Sequence, residues 1–214
     1  MVNSQIIINN FMKNIPKKLT LIKFGGSLLT TSHLTSWLNL ISTQQNIILI
    51  AGGGIFADSV RNAQQLCLFS EQAAHEMALL AMSQYALLLQ DICKKLQPFS
   101  NLEELAKILE EKQAIPIWHP TKLCMKYADE ISASWAMTSD SLAAWLAKKI
   151  GAKRLILIKS APCPVEFSLE TLVAQGLVDE LFPYYATALN IRLFSQEEFV
   201  QCGEFLKITA PPTP

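Results

Sequence analysis

Five residues at the end of an apolar run, Lys23-Phe24-Gly25-Gly26-Ser27, carry the first chemistry legible in the chain. Glycines let backbone N–H groups close on an anion, and a helix N-terminus favours negative charge. Lys23 stands where its ammonium could reach a phosphate. An ordinary strand-to-helix turn, with Lys23 in solvent, accounts for the same residues. A second cluster, Ala51-Gly52-Gly53-Gly54, also lies between an apolar run and a helical stretch (55–66). With Ala57 it satisfies the GxGxxA pattern of a dinucleotide turn. That site needs an acidic residue about 20 positions on, at a strand end. Here those positions are Ala74-His75-Glu76, inside a helical stretch, which argues against it. No Gly-Lys-Ser/Thr follows either cluster, so there is no Walker A loop. Two glycine clusters after two strands suggest two anion sites at one sheet edge. A third element, Trp135-Ala136-Met137-Thr138-Ser139-Asp140-Ser141, gathers hydroxyls and a carboxylate at a helix start. Capping explains them structurally. Functionally, Asp140 could hold lysines in position, and the hydroxyls of Thr138 and Ser139 could meet phosphate or ligand.

These residues need a scaffold, and the apolar pattern supplies one. Buried strands are expected at 19–24, 46–51 and Arg154–Lys159, with weaker ones at 114–118 and 191–194. Near-continuous apolar strands separated by helices indicate a mainly parallel sheet covered on both faces. Ser70 can cap a long helix over 71–96. Ser100 with Glu103 forms a capping box for Leu102–Glu111. Thr138 or Ser139 can cap 140–150, which Gly151 stops. There is no internal repeat or linker, so residues 1–214 read as one α/β/α domain with a frayed tail at 209–214.

Composition excludes several classes. The chain has 214 residues, 18 Lys plus Arg and 18 Asp plus Glu, hence zero formal net charge. Half the residues are apolar, against the low hydrophobicity that disorder requires. A nucleic-acid binder should carry a basic excess, and a membrane-surface patch a basic cluster; neither is present. The apolar run at 6–8 is too short for a signal peptide, and 73–89 contains His75, Glu76, Ser83 and Gln84, which favours a buried or interface helix over a span. The five cysteines show no CxxC or zinc pattern and read as buried thiols of a cytoplasmic protein. No metal cluster stands out. His33 reads as a surface residue and His75 as a packed helix residue. His119 could line a pocket, though a loop histidine is the simpler reading. Trp135, Trp145, Met77 and Met82 read as core. Low charge and the apolar 71–96 helix suggest a homo-oligomer.

Taken together, KFGGS (23–27), GGG (52–54), TSDSLAAWLA (138–147) and the strand after it resemble the amino acid kinase family, in order and spacing, over about residues 18–195. IFADSVR (55–61), AAHEMALLAMSQY (73–85) and 135–147 narrow the resemblance to a short branch, the kinases of methanofuran-type cofactor biosynthesis. The resemblance implies a three-layer α/β/α sandwich around a mainly parallel sheet. An acceptor side (18–135) would be followed by a shortened nucleotide side (136–208). The activity implied is ATP-dependent phosphoryl transfer, with Mg²⁺ arriving on ATP, to a small phosphate-bearing acceptor such as a furan-methyl phosphate. Lys23 would neutralise the transferred phosphate, and Gly25, Gly26 and Ser27 would cradle it. Gly52, Gly53 and Gly54 would receive the acceptor's phosphate, with Asp140 orienting the lysines. Asp58 would pair with a substrate ammonium and Arg61 with a phosphate; an Asp58–Arg61 pair within the helix is the plain alternative. The sequence departs from the family after the fourth strand. Lys159-Ser160-Ala161-Pro162-Cys163-Pro164 replaces the usual Thr-Asp segment and glycine turn, and the later lysine-bearing segment is missing. Lys159 could replace that lysine, with Ser160 beside it at the nucleotide. Other acceptors (a nucleoside monophosphate, an isoprenoid phosphate) and a non-catalytic, ligand- or partner-binding relative stay open.

Overall fold

The computed structural model describes residues 15, 16 and 18–208. The apolar run at 6–8 and the tail at 209–214 lie outside them. Six strands, β1 (Thr20–Phe24), β2 (Ile47–Ala51), β3 (Leu96–Phe99), β4 (Ile115–Trp118), β5 (Arg154–Lys159) and β6 (Asn190–Ser195), form one sheet in the order β3-β4-β2-β1-β5-β6. Every pairing is parallel. The expected α/β/α sandwich is therefore present. The chain leaves β1 toward β2 on one side and returns to β5 on the other. The C-terminal end of β1 is thus where the order reverses, the place where open parallel sheets bind ligands.

The helices are α1 (Leu34–Ser42), α2 (Gly54–Cys67), α3 (Glu71–Ile92), α4 (Leu102–Glu111), α5 (Thr121–Lys126), α6 (Ser139–Ile150), α7 (Leu169–Ala174), α8 (Phe182–Ala186) and α9 (Phe199–Ile208). Side chains alternate across the sheet. Leu21, Ile48, Ile50, Leu155 and Leu157 pack on α4, α6 and α8. Ile22, Phe24, Leu49, Ile156 and Ile158 pack on α1 and α9. Alternation therefore sends Lys23 and Lys159 to the face of Leu21 and Leu157, where α6 lies. That helix is buried nearly all round, and the ring of Trp145 stacks on Trp118 of β4 with centroids 6.1 Å apart.

Several elements differ from expectation. The long helix ends at Ile92, and Leu96–Phe99 is an edge strand. Pro98 explains it: a proline holds the preceding residue extended and gives no N–H, which an edge strand tolerates. Helix α4 is capped by Asn101, whose Oδ1 accepts from the Glu103 and Glu104 N–H groups, and not by a Ser100–Glu103 box. Ser100 instead donates its N–H and hydroxyl to Glu104. Ser70 does cap α3, accepting from Ala73 N–H. Cys93, Cys124 and Cys202 are buried free thiols, but Cys67, in the last turn of α2, is exposed. Among the described residues no helix is long and apolar enough to cross a membrane.

Candidate active site

The two glycine clusters touch. A Cβ on Gly26 would stand 2.2 Å from Gly54 N, and one on Gly52 2.7 Å from Gly26 N. Only glycine lets these loops pass. Gly25 and Gly52 differ in one respect from the anion-cradle expectation. The Gly25 N–H donates to Ile158 O at 2.9 Å and the Gly52 N–H to Phe24 O at 2.8 Å, so neither is available to an anion. They extend the sheet's bonding past the strand ends. Gly53 and Gly54 open α2, where a helix leaves its first N–H donors without intrahelical partners. Gly26 and Ser27 open a short 3₁₀ turn, and the Ser27 hydroxyl meets that of Ser160 at 2.7 Å.

Beside these loops, Asp140 lies between two lysines. Lys23 Nζ is 3.1 Å from Oδ1, and Lys159 Nζ donates to Oδ2 at 2.6 Å. Lys23 and Asp140 are each only 5% exposed. Burial pulls the Lys23 ammonium down to about 8, helped by Lys159 and opposed by Asp140. Burial alone would raise the Asp140 carboxyl, but the two ammonium groups outweigh it and hold it below the usual carboxylate range. Two ammonium groups stand together at the sheet edge against Asp140, with the Asp179 carboxylate also near Lys23, and such fixed cations suit phosphate oxygens.

A cavity of about 230 Å³ adjoins the cluster. Gly26, Ser27, Gly53 and Gly54 line it from the two glycine loops, and Thr138 and Ser139 border it from the start of α6. Asp58 and Arg61 line it from α2, and Leu79, Met82 and Leu142 give it an apolar floor. Asp58 and Arg61 form no ion pair with each other; the Arg61 guanidinium lies 4.4 Å from the Trp135 ring centroid. The structure thus brings Gly26, Ser27, Gly53, Gly54, Asp58, Arg61, Thr138 and Ser139 to one cavity. Lys23, Lys159 and Ser160 at the strand ends and Asp140 in the first turn of α6 stand next to it. Among the described residues no group of three His, Cys, Asp or Glu side chains could hold a metal ion.

Other residues complete the walls. Trp135, expected in the core, lines the cavity because Gln64 holds its edge: Nε1 donates to Gln64 Oε1 at 2.6 Å. Gln64 Nε2 in turn donates to Glu71 Oε1 at 2.9 Å, and Glu71 lines the cavity too. His75 is half-buried in the wall, its imidazole lowered by burial. Ser70 signalled in the sequence where α3 starts. The face that helix presents to the cavity had no such signal. His119 lies elsewhere, its Nε2 2.7 Å from Gln90 Nε2. Asp179, which no motif marked, accepts hydrogen bonds from Thr138 and Ser141.

The amino acid kinase family model matches residues 18–162, about two thirds of the chain. The chain belongs to the amino acid kinase family. It is 29% identical over 140 residues, 64% of its length, to [5-(aminomethyl)furan-3-yl]methyl phosphate kinase of Methanocaldococcus jannaschii, and that match spans 63% of the relative. Among solved structures, UMP kinase from Bacillus anthracis superposes with a TM-score of 0.64 at 14% identity, covering 90% of this chain and 93% of that one. An isopentenyl phosphate kinase superposes with a TM-score of 0.59 at 11% identity, covering 87% and 95%. These likenesses establish the amino acid kinase fold.

Proposed function

We propose that the protein transfers the γ-phosphoryl group of ATP to a phosphate oxygen of a small acceptor, and that the acceptor is a furan-methyl phosphate bearing an aminomethyl group. The observation that carries the reading is Asp140 holding Lys23 and Lys159 side by side at the edge of a cavity opened by two glycine loops. The curated relative, whose name states this substrate, supports the choice of acceptor.

In the proposed step an acceptor phosphate oxygen attacks the γ-phosphorus of ATP. The new P–O bond makes a diphosphate, and the bond to the β–γ bridging oxygen breaks with its electron pair leaving on ADP. A phosphate dianion has no proton to lose, so no general base is required. Such transfer depends on positioning and charge stabilisation. Lys23 and Lys159 stabilise the equatorial oxygens, with Asp140 keeping both in place. The N–H groups of Gly26 and Ser27 serve the transferred phosphate, and Ser27 and Ser160 border the nucleotide. Gly53 and Gly54 receive the acceptor's phosphate, and Arg61 adds a cation. Asp58 faces the acceptor's ammonium, and Thr138 and Ser139 face its ring. Mg²⁺ would be carried on the nucleotide phosphates and would supply further charge neutralisation.

The test is ATP turnover against a panel: the aminomethyl furan phosphate, UMP, isopentenyl phosphate and simple phosphate monoesters, read by ADP release and product mass. The furan acceptor should be preferred. Preference for another member reassigns the substrate. No turnover with any acceptor, together with no ATP binding, overturns the kinase reading in favour of a binding protein.

A further inference from the structure

The segment after α7 lies beyond the residues matched by the family model, yet it is tied to the start of α6. Asp179 Oδ2 accepts from Thr138 N–H at 2.9 Å, from the Thr138 hydroxyl at 2.7 Å and from Ser141 N–H at 3.1 Å. Its Oδ1 accepts from the Ser141 hydroxyl. Two residues on, Leu181 N–H donates to Ala136 O at 3.0 Å, while Phe182 N–H closes on Asp179 O at 3.1 Å. Asp140 sits between the two residues that Asp179 grips. The N-cap residue of α6, Thr138, makes no capping bond of its own.

The origin of the cap matters. An N-cap side chain satisfies the first turn of its own helix and fixes nothing beyond it. A carboxylate brought from 38 to 41 residues away fixes that turn against another element. The turn so fixed carries Asp140, whose two oxygens each hold a lysine from a different strand. It also carries Thr138 and Ser139, which border the cavity.

We propose that Asp179 is a positioning residue of the phosphoryl transfer: by clasping residues 138–141 it sets where Asp140 stands and, through Asp140, where Lys23 and Lys159 present their charge. This rests on the kinase reading above. It also gives the C-terminal segment a part in the site. The charged groups at this point are Lys23 from β1, Lys159 from β5, Asp140 from α6 and Asp179 itself. The Asp179 charge favours the protonated form of Lys23, adding to Asp140 and opposing Lys159.

The experiment compares Asp179→Asn, Asp179→Ala and Ser141→Ala in the full chain. Steady-state kcat and both KM values are measured, together with the pH profile of kcat/KM. Asp179→Ala should lower kcat by about 10- to 100-fold, the loss expected when catalytic groups are misplaced by about 1 Å, while acceptor KM moves less than about threefold. Asn keeps an acceptor oxygen and should fall between Ala and wild type. It removes the charge, so its alkaline limb should move to lower pH. Ser141→Ala leaves the charge, and should lower kcat slightly with the limb in place. A cap of purely structural value would lower thermal stability and leave kcat per folded molecule and the limb unchanged; that result overturns the proposal. Should Asp179→Ala not fold, Asp179→Asn and Ser141→Ala give the same decision. A wild-type protein with no ATP turnover overturns the kinase reading and this role with it. An active wild type whose variants match it in kcat and pH profile overturns the role of Asp179 alone.

Discussion

Asp140→Asn is the most exacting perturbation of the site, because it keeps the shape and removes one charge. Asp140 faces Lys23 at 3.1 Å and Lys159 at 2.6 Å. At an effective dielectric of about 20, those separations correspond to attractions of about 5 and 6 kcal/mol before desolvation is subtracted. Removing one partner of a buried ion pair costs about 3–5 kcal/mol. For a chain of this size that is about 6–20 °C in Tm. The pH dependence has a definite sign. Without Asp140, Lys23 falls further below its present value of about 8. A lysine depressed in the folded state binds fewer protons there than in the unfolded chain. The penalty is therefore complete below the folded pKa and is relieved as pH rises toward about 10.4. Asp140 itself is depressed, so its stabilisation is present above about pH 4 and is lost as pH falls through its folded value. The difference between wild type and variant should accordingly narrow in acid and in strong base. A neutral or displaced Lys23 cannot serve the transferred phosphate, and kcat should fall by about 10²–10³-fold, as on losing one fixed charge donor. Coupled ADP release between pH 6 and 10, with thermal melts across the same range, measures both effects. In the wild type, kcat/KM should fall above about pH 8 as Lys23 deprotonates in the free enzyme. An Asp140→Asn protein with wild-type kcat, wild-type Tm at pH 7 and an unmoved alkaline limb would refute the reasoning.

Three further outcomes are expected. Gly26→Ala places a Cβ 2.2 Å from the Gly54 backbone, so the loops must part; activity should be lost and stability should fall by about 1–3 kcal/mol, and an active variant with unchanged melting would show that the loops are not coupled. Asp58→Asn should raise KM for an acceptor carrying an ammonium by about tenfold and leave KM for its des-amino analogue alone; an unchanged KM for the amine removes Asp58 from the acceptor site. Leu80 and Leu87 lie exposed on α3, and Leu66 and Leu68 at the turn before it. If this face mediates self-association, sedimentation will show a wild-type oligomer that Leu80→Glu dissociates, whereas a wild-type monomer ends that expectation.

The strands and most helices were legible because their signals are local. Apolar runs at 19–24, 46–51 and Arg154–Lys159, short and β-branched and followed by turn residues, read as buried strands and are strands, and Ser70 and Gly151 marked helix ends by their own chemistry. The glycine clusters were legible as loops, but the reason for each glycine was not. Gly26 and Gly52 are glycine because the two loops pass within a Cβ of each other, a contact that spacing does not encode. The helix expected over 71–96 runs past its true end at Ile92 and takes in Leu96, the first residue of a short edge strand that only Pro98 betrays.

For this protein the sequence by itself determined which residues stand at strand ends and helix starts, since period-2 and period-3.6 patterns are properties of neighbouring residues. Lys23 after one strand, Lys159 at the end of another and Asp140 at a helix start follow from that. What only the tertiary structure decided is how these points meet. β1 and β5 lie side by side in register, Lys23 and Lys159 fall on the same face, and α6 lays its first turn over both. Parallel pairing joins residues more than a hundred positions apart, so the meeting is set by topology. The grip of Asp179 on that turn and of Gln64 on Trp135 belong to the same class. Each is a single hydrogen-bonding side chain in an otherwise unremarkable stretch, whose partner is chosen by packing at a distance along the chain.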